Sequence, residues 1–400
     1  MNSKYSIAIQ NQSFHPTRKK FSQLKKTKVL FYFNSNSPFY TNLFYSIKRG
    51  FEEANCLIEG EPKLLNSNDL RKKIFSFKPD FVLEINRTKS EIVNFPKGVL
   101  HVGWLFDVWG KETQDLYSDI IYTFGYNWLN IFPKINAKYK TCLPPATDAS
   151  IYKALNIKKS YDFSFLGHIP KPWADKELQR IIGYNKNKTL YFKDILPPLE
   201  KQRLAKDNTL NLETFQKKHN FTFLKDLETS LLYDIGTRIY RQKNRMHFLN
   251  LIEKISTSIV IYGTNWNLYE KYVPYYKGYL DDPSKINEAI QSSKIMLHDN
   301  HNFHFRILDA MASGTPVMIA SPRKNSDNLE LFGLKKNIDY LEIDIFSNSS
   351  IEFPHQELET ISTNARRNVM QNHLWVHRAQ TILDDVKTIN ENYAELFTNS

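Results

Sequence analysis

The stretch that decides the predicted fold is KIMLHDNHNFHFRILDAMASGTPVMIA, which runs from Lys294 to Ala320. It opens with a short apolar run, Ile295 to Leu297, which is typical of a buried strand. After a polar loop from Asp299 to His304, apolar residues recur at helical spacing until Ser313 and Gly314 end the pattern. Pro316 to Ile319 predicts the next strand. The stretch is therefore a predicted βαβ unit, and ligands of open parallel sheets bind beyond the carboxyl ends of the strands.

Three polar residues of this stretch suit a phosphorylated ligand. Arg306 lies near the start of the predicted helix, where free backbone N–H groups and the helix dipole favour an anion, and its guanidinium fits phosphate oxygens. Asp309 lies one turn further on the same side and can accept hydrogen bonds from ribose hydroxyls. Thr315, beside Gly314, would bring a hydroxyl and an open backbone N–H near the same phosphates. The alternative is that Arg306 and Asp309 form an ordinary ion pair.

The segment R-I-L-D-A-M-A-S-G-T-P-V resembles the donor-site segment of GT-B glycosyltransferases, with the pattern R-x-x-E-A-x-A-x-G-T-P-V. The resemblance extends to the narrower CgeB-like group (spore maturation protein CgeB and relatives). Other stretches agree in the same order along the chain: W-L-F-D (104–107), L-P-P-A-T-D (143–148), Y-D-F-S-F-L-G (161–167), I-Y-G-T-N-W (261–266), Y-K-G-Y-L (276–280) and N-H-L-W-V-H-R (372–378).

This resemblance implies an α/β protein with two Rossmann-like domains, whose parallel sheets face each other across a cleft. It also implies that the second domain binds a nucleotide sugar and that the first brings the acceptor hydroxyl. The loop with Tyr279 and Leu280 would flank the base, and the loop from Gly263 to Trp266 would approach the donor, with Tyr279 or Trp266 as a stacking aromatic. We count His304 and Gly314 among the donor-binding residues.

Two positions depart from the family pattern. Asp309 stands where the family usually has Glu, and His301 stands where retaining GT-B enzymes often carry a first Glu. The shorter acid still suits a ribose contact, whereas the missing Glu leaves the stereochemistry of transfer open.

Strand and helix patterns alternate along both halves of the chain, which indicates parallel sheets covered by helices. Arg238, Arg241 and Arg245 follow near one helical face. They are either solvated, which we expect, or aimed at the cleft. Between 186 and 240, Lys, Glu and Leu at helical spacing predict a helical insertion. The predicted organisation is an N-terminal arm (1–26), a Rossmann-like acceptor domain (27–150), a Rossmann-like nucleotide-sugar domain (160–372) and a C-terminal helix that crosses back to the first domain (373–400).

Composition indicates a folded globular protein, with 41% hydrophobic and 14% aromatic residues among 400. No apolar run approaches the roughly 20 residues that span a bilayer, and the N-terminus has no signal-peptide core. Only two cysteines, Cys56 and Cys142, are present, which fits a reducing cytoplasm. A formal net charge of +12 favours anionic partners, such as nucleotide sugars or an anionic membrane face, or merely reflects a Lys-rich surface.

Glycosyl transfer needs positive charge or dipoles at the leaving phosphate and, in the inverting case, a base near the acceptor hydroxyl. Asp107, His101 and His168 are the candidate bases. We choose Asp107 because it directly follows a buried run, although a loop or capping aspartate is an equal alternative. His168 is the second catalytic candidate and would otherwise contact phosphate.

We expect no essential metal, because no D-x-D motif is present and Asp281 and Asp282, followed by Pro283, predict a helix start. A metal site of His298, His301 and His304 lacks a completing Cys or acid.

The sequence therefore predicts a cytoplasmic, metal-independent GT-B glycosyltransferase without a tightly bound cofactor. Its donor would be a nucleotide-diphosphate sugar, a UDP-sugar ahead of a GDP- or dTDP-sugar, and its acceptor a glycan, lipid or protein. The rival is a non-catalytic nucleotide-sugar or glycan-binding protein with the same fold. Specific nucleic-acid binding is not expected, because no nucleic-acid module is recognisable. The oligomeric state stays open.

Overall fold

The structure is a computed structural model that describes residues 26–35, 37–106, 114–131, 134–186, 188–324, 326, 329–347 and 357–398. Within these residues, two all-parallel sheets each carry helices, and a small antiparallel sheet lies in an insertion. The predicted α/β class, with two parallel sheets and a largely helical insertion, is confirmed. The predicted N-terminal arm lies almost entirely outside the described residues.

The first parallel sheet has six described strands in the order β2-β1-β3-β4-β5-β6. The predicted alternation of strands and helices is present, and β2, at three residues, is too short to give a sequence pattern. The strands are β1 (Lys28–Phe31), β2 (Leu57–Glu59), β3 (Phe81–Ile85), β4 (Leu100–Leu105), β5 (Leu116–Thr123) and β6 (Ile135–Cys142). The helices are α1 (Pro38–Glu53), α2 (Ser67–Phe77) and α3 (Tyr126–Ile131).

Helix α1 begins at Pro38 because the Ser37 side chain accepts a hydrogen bond from the Tyr40 amide, and because proline at the first helical position loses no backbone bond. Its predicted apolar stripe is confirmed as core. Leu43, Phe44, Ile47 and Phe51 are buried against the first sheet. The opposite edge of that stripe turns toward the second parallel sheet.

The insertion lies between strands β7 (Tyr161–Leu166) and β11 (Ile259–Tyr262) and has its own apolar core. The sequence predicted its helices but not its sheet, whose strands are only two to five residues long. Its strands are β8 (Ile181–Asn185), β9 (Lys188–Tyr191) and β10 (Thr222–Phe223). Its helices are α4 (Asp175–Leu178), α5 (Phe192–Leu204), α6 (Leu212–His219), α7 (Thr229–Tyr233) and α8 (Ile239–Glu253).

The second parallel sheet has five described strands in the order β11-β7-β12-β13-β14. Helix α9 begins at Pro283, and the Asp282 carboxylate accepts from the Ser284 amide, as the sequence predicted. The remaining strands are β12 (Ser293–His298), β13 (Val317–Ala320) and β14 (Leu341–Ile343). The helices are α9 (Pro283–Gln291), α10 (Phe305–Ala312), α11 (Leu358–Asn372) and α12 (Trp375–Thr398).

Helix α12 packs on α1 and contributes Trp375, Ile382 and Val386 to the core of the first sheet. The contact is close, because a Cβ built on Gly50 would lie 2.6 Å from the backbone carbonyl carbon of Trp375. The chain after β6 is tied to the same place, since the Thr147 amide donates to the His373 carbonyl at 3.0 Å. The end of the described chain is thus packed into the first structural unit.

Among the helices of the described residues, none combines the length and the apolar character that crossing a lipid bilayer requires.

Candidate functional site

A cavity lies between the two parallel-sheet units. One wall is the face of α1 that carries residues 39, 42, 43 and 46, together with residues 146–148 after β6. The opposite wall consists of the carboxyl ends of β7 and β11, the loop 279–281 and the first turns of α10. This is the edge at which open parallel sheets bind their ligands.

Arg306 lines this cavity from the first turn of α10, and its side chain is 21% exposed. The residue before the helix, His304, caps it, because His304 Nδ1 accepts the Arg306 amide at 3.2 Å. The free backbone N–H that the sequence offered to a phosphate at Arg306 is therefore already used. The guanidinium and the positive end of the helix dipole remain available to an anion.

Asp309 lines the same cavity one turn further along α10, with a side chain that is 7% exposed. Its Oδ1 accepts from the Thr147 hydroxyl at 2.7 Å, and its Oδ2 lies 3.9 Å from Arg306. Burial raises the pKa of Asp309 to about 7, against the lowering effects of Arg306, Thr147 and Tyr152. At 3.9 Å the predicted i,i+3 ion pair is a loose one, so the guanidinium keeps donors for a ligand.

His168, at the end of β7, also lines the cavity. Its Nδ1 accepts from the Thr264 amide at 3.2 Å and lies 3.0 Å from the Thr264 hydroxyl. Burial lowers the pKa of His168, and Arg245, Arg306 and Arg241 lower it further. A neutral imidazole whose Nδ1 accepts carries its proton on Nε2, so His168 is a hydrogen-bond donor here.

Arg245, on α8, lies beside His168. Arg245 donates to the His168 carbonyl and pairs with Asp299 at 3.2 Å. His304, which we predicted to bind the donor, is not among the described residues that line the cavity. Desolvation, followed by the charges of His298, Arg306 and Arg245, lowers its pKa well below the ordinary range. The positive charges of Arg245 and Arg306 therefore act on both imidazoles, and Asp299 is the carboxylate paired with Arg245.

The expectation that Arg238 and Arg245 are solvated is wrong. Arg245 is held beside His168, and Arg238 stacks on the Trp173 ring at 3.9 Å and pairs with Glu177 at 2.7 Å. Arg241, in contrast, is exposed. Helical spacing identified the shared face but gave no information on the acidic partners, which lie far away in the sequence.

Three other predicted donor residues, Gly263, Tyr279 and Leu280, line the cavity. Gly263 has φ +147°, and a Cβ there would lie 2.1 Å from the Gly167 carbonyl oxygen, so only glycine fits. Tyr279 is half exposed, and its ring centroid lies 5.8 Å from that of His168. Tyr279 is therefore the aromatic of the predicted pair whose ring is accessible.

Trp266 does not reach the cavity, which corrects its prediction as a stacking residue. Its side chain is fully buried, and Nε1 donates to the Gly167 carbonyl at 2.6 Å. Phe165 and Tyr272 pack edge-to-face against the ring. Neither face of the indole is open to a base or a sugar.

Gly314 and Thr315 lie at the other end of α10, away from Arg306, and this also corrects the prediction. A helix of eight residues is about 12 Å long, so its two ends do not meet the same phosphate group. Gly314 borders a separate polar pocket with Arg366 and Arg367, and Thr315 is fully buried. The Gly-Thr pair ends the helix and starts β13.

The remaining predicted polar residues have different positions. Asp107, the chosen base, lies outside the described residues. His101 is fully buried between Glu84 and Ser118, at 3.1 and 3.0 Å, so it has no access to the cavity. His301 is buried, and its Nε2 lies 3.3 Å from a Glu342 carboxylate oxygen. Its ring is therefore directed to Glu342 and not to a metal site shared with His298 and His304.

Four cavity residues were missed by the sequence analysis. Thr147 and Tyr152 contact the Asp309 carboxylate, and Asn42 and Ser46 line the cavity from α1. Thr147 belongs to the L-P-P-A-T-D segment (143–148), and this motif is the sequence feature that could have identified it as a cavity residue. Asn42 and Ser46 lie four residues apart on one helical face, where a polar pair interrupts the apolar stripe.

Residues 241–384 match a family model whose description is "Glycosyl transferase-like". This part of the chain is therefore glycosyl transferase-like, and it contains Arg245, Gly263, Tyr279, Arg306 and Asp309. A comparison with curated proteins found no match.

Solved structures with a similar overall arrangement include a glycosyltransferase involved in avilamycin A biosynthesis (10% identity, TM-score 0.46, 91% of this chain and 98% of that chain). A glycosyltransferase from Rickettsia africae ESF-5 is similar over 92% of this chain and all of that chain (10% identity, TM-score 0.46). The N-terminal domain of Candida albicans trehalose-6-phosphate phosphatase is similar over 93% and 99%, with 10% identity and a TM-score of 0.43. TM-scores below 0.5 are too low to assign a function.

Proposed function

We propose that the protein is a GT-B glycosyltransferase that moves a sugar from a nucleotide diphosphate to an acceptor hydroxyl. The observation that carries this proposal is the position of Arg306 and Asp309. Both lie in the glycosyl transferase-like part of the chain, and both line the cavity between the two parallel-sheet units. A guanidinium beside a carboxylate, at the positive end of a helix, suits a diphosphate joined to a ribose.

In the proposed complex, Arg306 binds the diphosphate and Asp309 accepts from the ribose hydroxyls. His168 donates Nε2–H to the phosphate or to the donor sugar, because its Nδ1 is occupied by Thr264. Gly263 lets the backbone approach the donor, and Tyr279 with Leu280 flanks the base. Gly314, Thr315 and Trp266 have no direct donor contact in this proposal.

The transfer joins the oxygen of the acceptor hydroxyl to the anomeric carbon of the sugar and breaks the bond from that carbon to the diphosphate. The bonding electron pair leaves with the nucleoside diphosphate, and Arg306 with the positive end of α10 stabilises the negative charge that develops there. The acceptor proton passes to a base. We propose Asp107 for that role, because it follows strand β4 by two residues in the sequence.

We further propose a UDP-sugar as the donor and membership of the CgeB-like group, which the ordered motifs favour. Arg306 and Arg245 would provide the positive charge that a metal provides in other enzymes, so activity without added metal is expected. Cys56 and Cys142 are both buried, and neither forms a disulfide among the described residues, which supports a cytoplasmic site of action. We also propose that the protein contacts the anionic inner face of the membrane through its basic surface.

The alternative is a nucleotide-sugar-binding or glycan-binding protein without turnover. Two observations favour it. His301, at the position of the family's first Glu, is buried against Glu342 and does not line the cavity. The Asp309 carboxylate is already in contact with Thr147 and Tyr152.

One experiment separates the two functions. Purified protein is incubated with UDP-, GDP- and dTDP-sugars and a panel of glycan, lipid and peptide acceptors, with and without a metal chelator, and the release of nucleoside diphosphate is measured beside its binding. Release that persists with chelator supports the enzyme. Binding of a nucleotide without release in the presence of any acceptor supports the alternative. Absence of both binding and release contradicts the enzyme and the nucleotide-sugar-binding protein, and leaves only the glycan-binding form of the alternative.

A further inference from the structure

We infer that a second cavity, at the carboxyl end of α10, binds a small hydroxylated phosphate ester. The cavity has a volume of about 580 Å³ and lies between α11, the end of α10 and the segment 154–159. The inference is independent of the proposed function, because this cavity shares no described lining residue with the cavity between the two sheets. Its volume is within the range of roughly 300 to 1,000 Å³ that is usual for small-molecule sites. We call it the distal pocket, and its polar lining includes Lys159, Ser362, Thr363, Arg366, Arg367 and Gln371.

The distal pocket brings together three cations without a carboxylate. Lys159, Arg366 and Arg367 line it, and none of its described lining residues is Asp or Glu. In the part of the chain that the structure describes, no carboxylate lies within ion-pairing distance of these cations. Arg238 and Arg245, in contrast, each have an acidic partner. A concave surface lined by one sign of charge attracts counter-ions, so an anionic ligand would supply the missing negative charge.

The arginine side of the pocket is held in position by α10. The Nε of Arg366 donates to the Ala312 carbonyl at 3.1 Å, which leaves its two NH2 groups for a ligand. Arg366 also passes close to Gly314, where a built Cβ would lie 3.9 Å from its Cδ. Thr363 lies three and four residues before Arg366 and Arg367 on α11, and residues at these spacings are neighbours on a helix surface. One helical face therefore offers two forked donors and a hydroxyl.

The segment that carries Lys159 is fixed at both ends. The buried Gln291 side chain accepts from the Leu155 amide at 2.6 Å. At the other end, the Ser160 amide donates to the Ser292 carbonyl at 2.7 Å. The pocket is therefore formed before a ligand arrives, and little backbone ordering is lost on binding.

The lining of the pocket indicates the chemical class of the ligand. A planar guanidinium donates two parallel hydrogen bonds to a phosphate group, and two arginines with one lysine suit a phosphate dianion. The volume exceeds what one phosphate group fills, so the ligand also has an organic part, whose hydroxyls can bond with Thr363 and Gln371. No described lining residue is aromatic, so the pocket lacks a stacking surface for a nucleotide base.

The distal pocket and the proposed donor site lie at opposite ends of α10. This helix has eight residues and is about 12 Å long. Arg306 lines the first cavity from the first turn of the helix, whereas Gly314, after its last turn, borders the distal pocket. A phosphate ester at Arg366 and a nucleotide at Arg306 would therefore bind at the same time, without competition.

The test uses the full chain and measures binding by calorimetry. Glycerol 3-phosphate, glucose 6-phosphate and inorganic phosphate are the anionic probes, and glycerol and glucose are the neutral counterparts. Vesicles of phosphatidylcholine with phosphatidic acid present the same phosphate chemistry as a lipid headgroup. Each probe is added to the wild type, Lys159→Gln, Arg367→Ala, Arg306→Ala and Lys218→Gln, whose melting temperatures confirm folding. Lys218 is exposed and lines neither cavity, which makes Lys218→Gln the matched control.

We expect at least one of the two phosphate esters to bind the wild type, more tightly than inorganic phosphate does and without binding of its neutral counterpart. Its affinity should fall tenfold or more in Lys159→Gln and in Arg367→Ala, because each loses a charge-assisted partner of the phosphate. Arg306→Ala and Lys218→Gln should bind the ester as the wild type does, and saturating UDP should not displace it. Vesicle binding should be the same in all five proteins.

Absence of ester binding, equal ester affinity in all five proteins, or displacement of the ester by UDP would overturn the inference. Inorganic phosphate that binds as tightly as the esters would overturn the ester assignment, since the pocket would then be an anion site only. Vesicle binding that is lost in Lys159→Gln and Arg367→Ala, without ester binding, would assign the pocket to a lipid headgroup instead. If UDP does not bind at all, the proposed function is contradicted, while the ester affinities of the variants still decide this inference.

Discussion

The Thr147 hydroxyl donates a hydrogen bond of 2.7 Å to the Asp309 carboxylate, although the two residues lie 162 positions apart. Thr147 belongs to the segment that leaves the first parallel sheet, and Asp309 belongs to α10 in the second unit. The backbone of Thr147 also contacts His373 and Trp375 at the start of α12. One residue therefore connects the proposed ribose-binding acid, the inter-sheet segment and the last described helix.

Replacing Thr147 with Val should change the pH dependence of donor binding. The Thr147 hydroxyl lowers the pKa of Asp309, which is about 7 overall because burial dominates. Without that hydroxyl, the carboxyl should titrate about one pH unit higher, since one hydrogen bond to a charged group is worth about 1.5 kcal/mol or more. UDP affinity is measured by calorimetry from pH 5.5 to 9. The pH at which UDP affinity has risen halfway should be higher in Thr147→Val than in the wild type. Thr147→Ser, which restores the hydroxyl, should have the wild-type midpoint.

The ionisation of UDP itself also contributes to such a profile, but it is common to all variants. Asp309→Asn provides the reference, because it keeps the shape of the side chain and removes its titration. If Thr147→Val and wild type share one midpoint, the hydroxyl does not tune Asp309.

Replacing Arg306 with Ala should weaken UDP binding about 10- to 100-fold, which corresponds to the loss of one or two charge-assisted hydrogen bonds. Arg306→Lys should recover part of the loss, because it restores the charge without the planar fork. Arg367→Ala is the matched control, since Arg367 is exposed and lies at the other pocket. If the Arg306→Ala protein binds UDP with wild-type affinity, the proposal that the diphosphate binds at the start of α10 is contradicted.

Asp309→Asn should change how stability depends on pH. The folded-state pKa of Asp309 is raised from 3.8 to about 7, so the contribution of its neutral form is complete below about pH 4 and is lost as pH rises through about 7. The Asp309→Asn variant has a side chain that does not ionise, so it does not lose this contribution as the pH rises. Between pH 5 and 8, the variant should gain about 2 to 3 kcal/mol relative to wild type, as measured by urea unfolding at both values. A constant difference between the proteins would show that Asp309 titrates normally.

Gly50→Ala should destabilise the contact between α1 and α12. A Cβ at this position would lie 2.6 Å from the Trp375 carbonyl carbon and 2.8 Å from its oxygen, and backbone cannot move aside as a flexible side chain does. We expect a loss of about 1 to 3 kcal/mol and a lower melting temperature. Gly236→Ala is the control, because a Cβ there meets nothing within 4 Å. Equal melting temperatures for the two variants would show that α12 is not held by this contact.

Much of the fold was predictable because it is encoded locally. The run from β12 through α10 to β13 follows from apolar periodicity and from a stop at Ser313 and Gly314, and the start of α9 follows from Asp282 and Pro283. Local patterns do not specify the direction of each side chain in the fold. Trp266 and Tyr279 both follow glycine-containing loops, yet only Tyr279 reaches the cavity.

The cavity itself was only partly predictable, because its walls come from distant parts of the chain. Arg306 and Asp309 could be identified from one helical turn. Their partner Thr147 and the α1 residues that line the cavity are brought to Arg306 and Asp309 by packing between the two units, which sequence periodicity does not reveal. Thr315 was placed beside Arg306 because the two are near in sequence, whereas the intervening helix separates them by its full length.

A crystal structure of the full chain with UDP tests the central claim most directly. The account predicts that diphosphate oxygens lie about 3 Å from the Arg306 guanidinium and that a ribose hydroxyl lies within hydrogen-bond distance of the Asp309 carboxylate. UDP bound away from α10, for example in the pocket beside Arg366 and Arg367, or bound without any contact to Arg306, would contradict it.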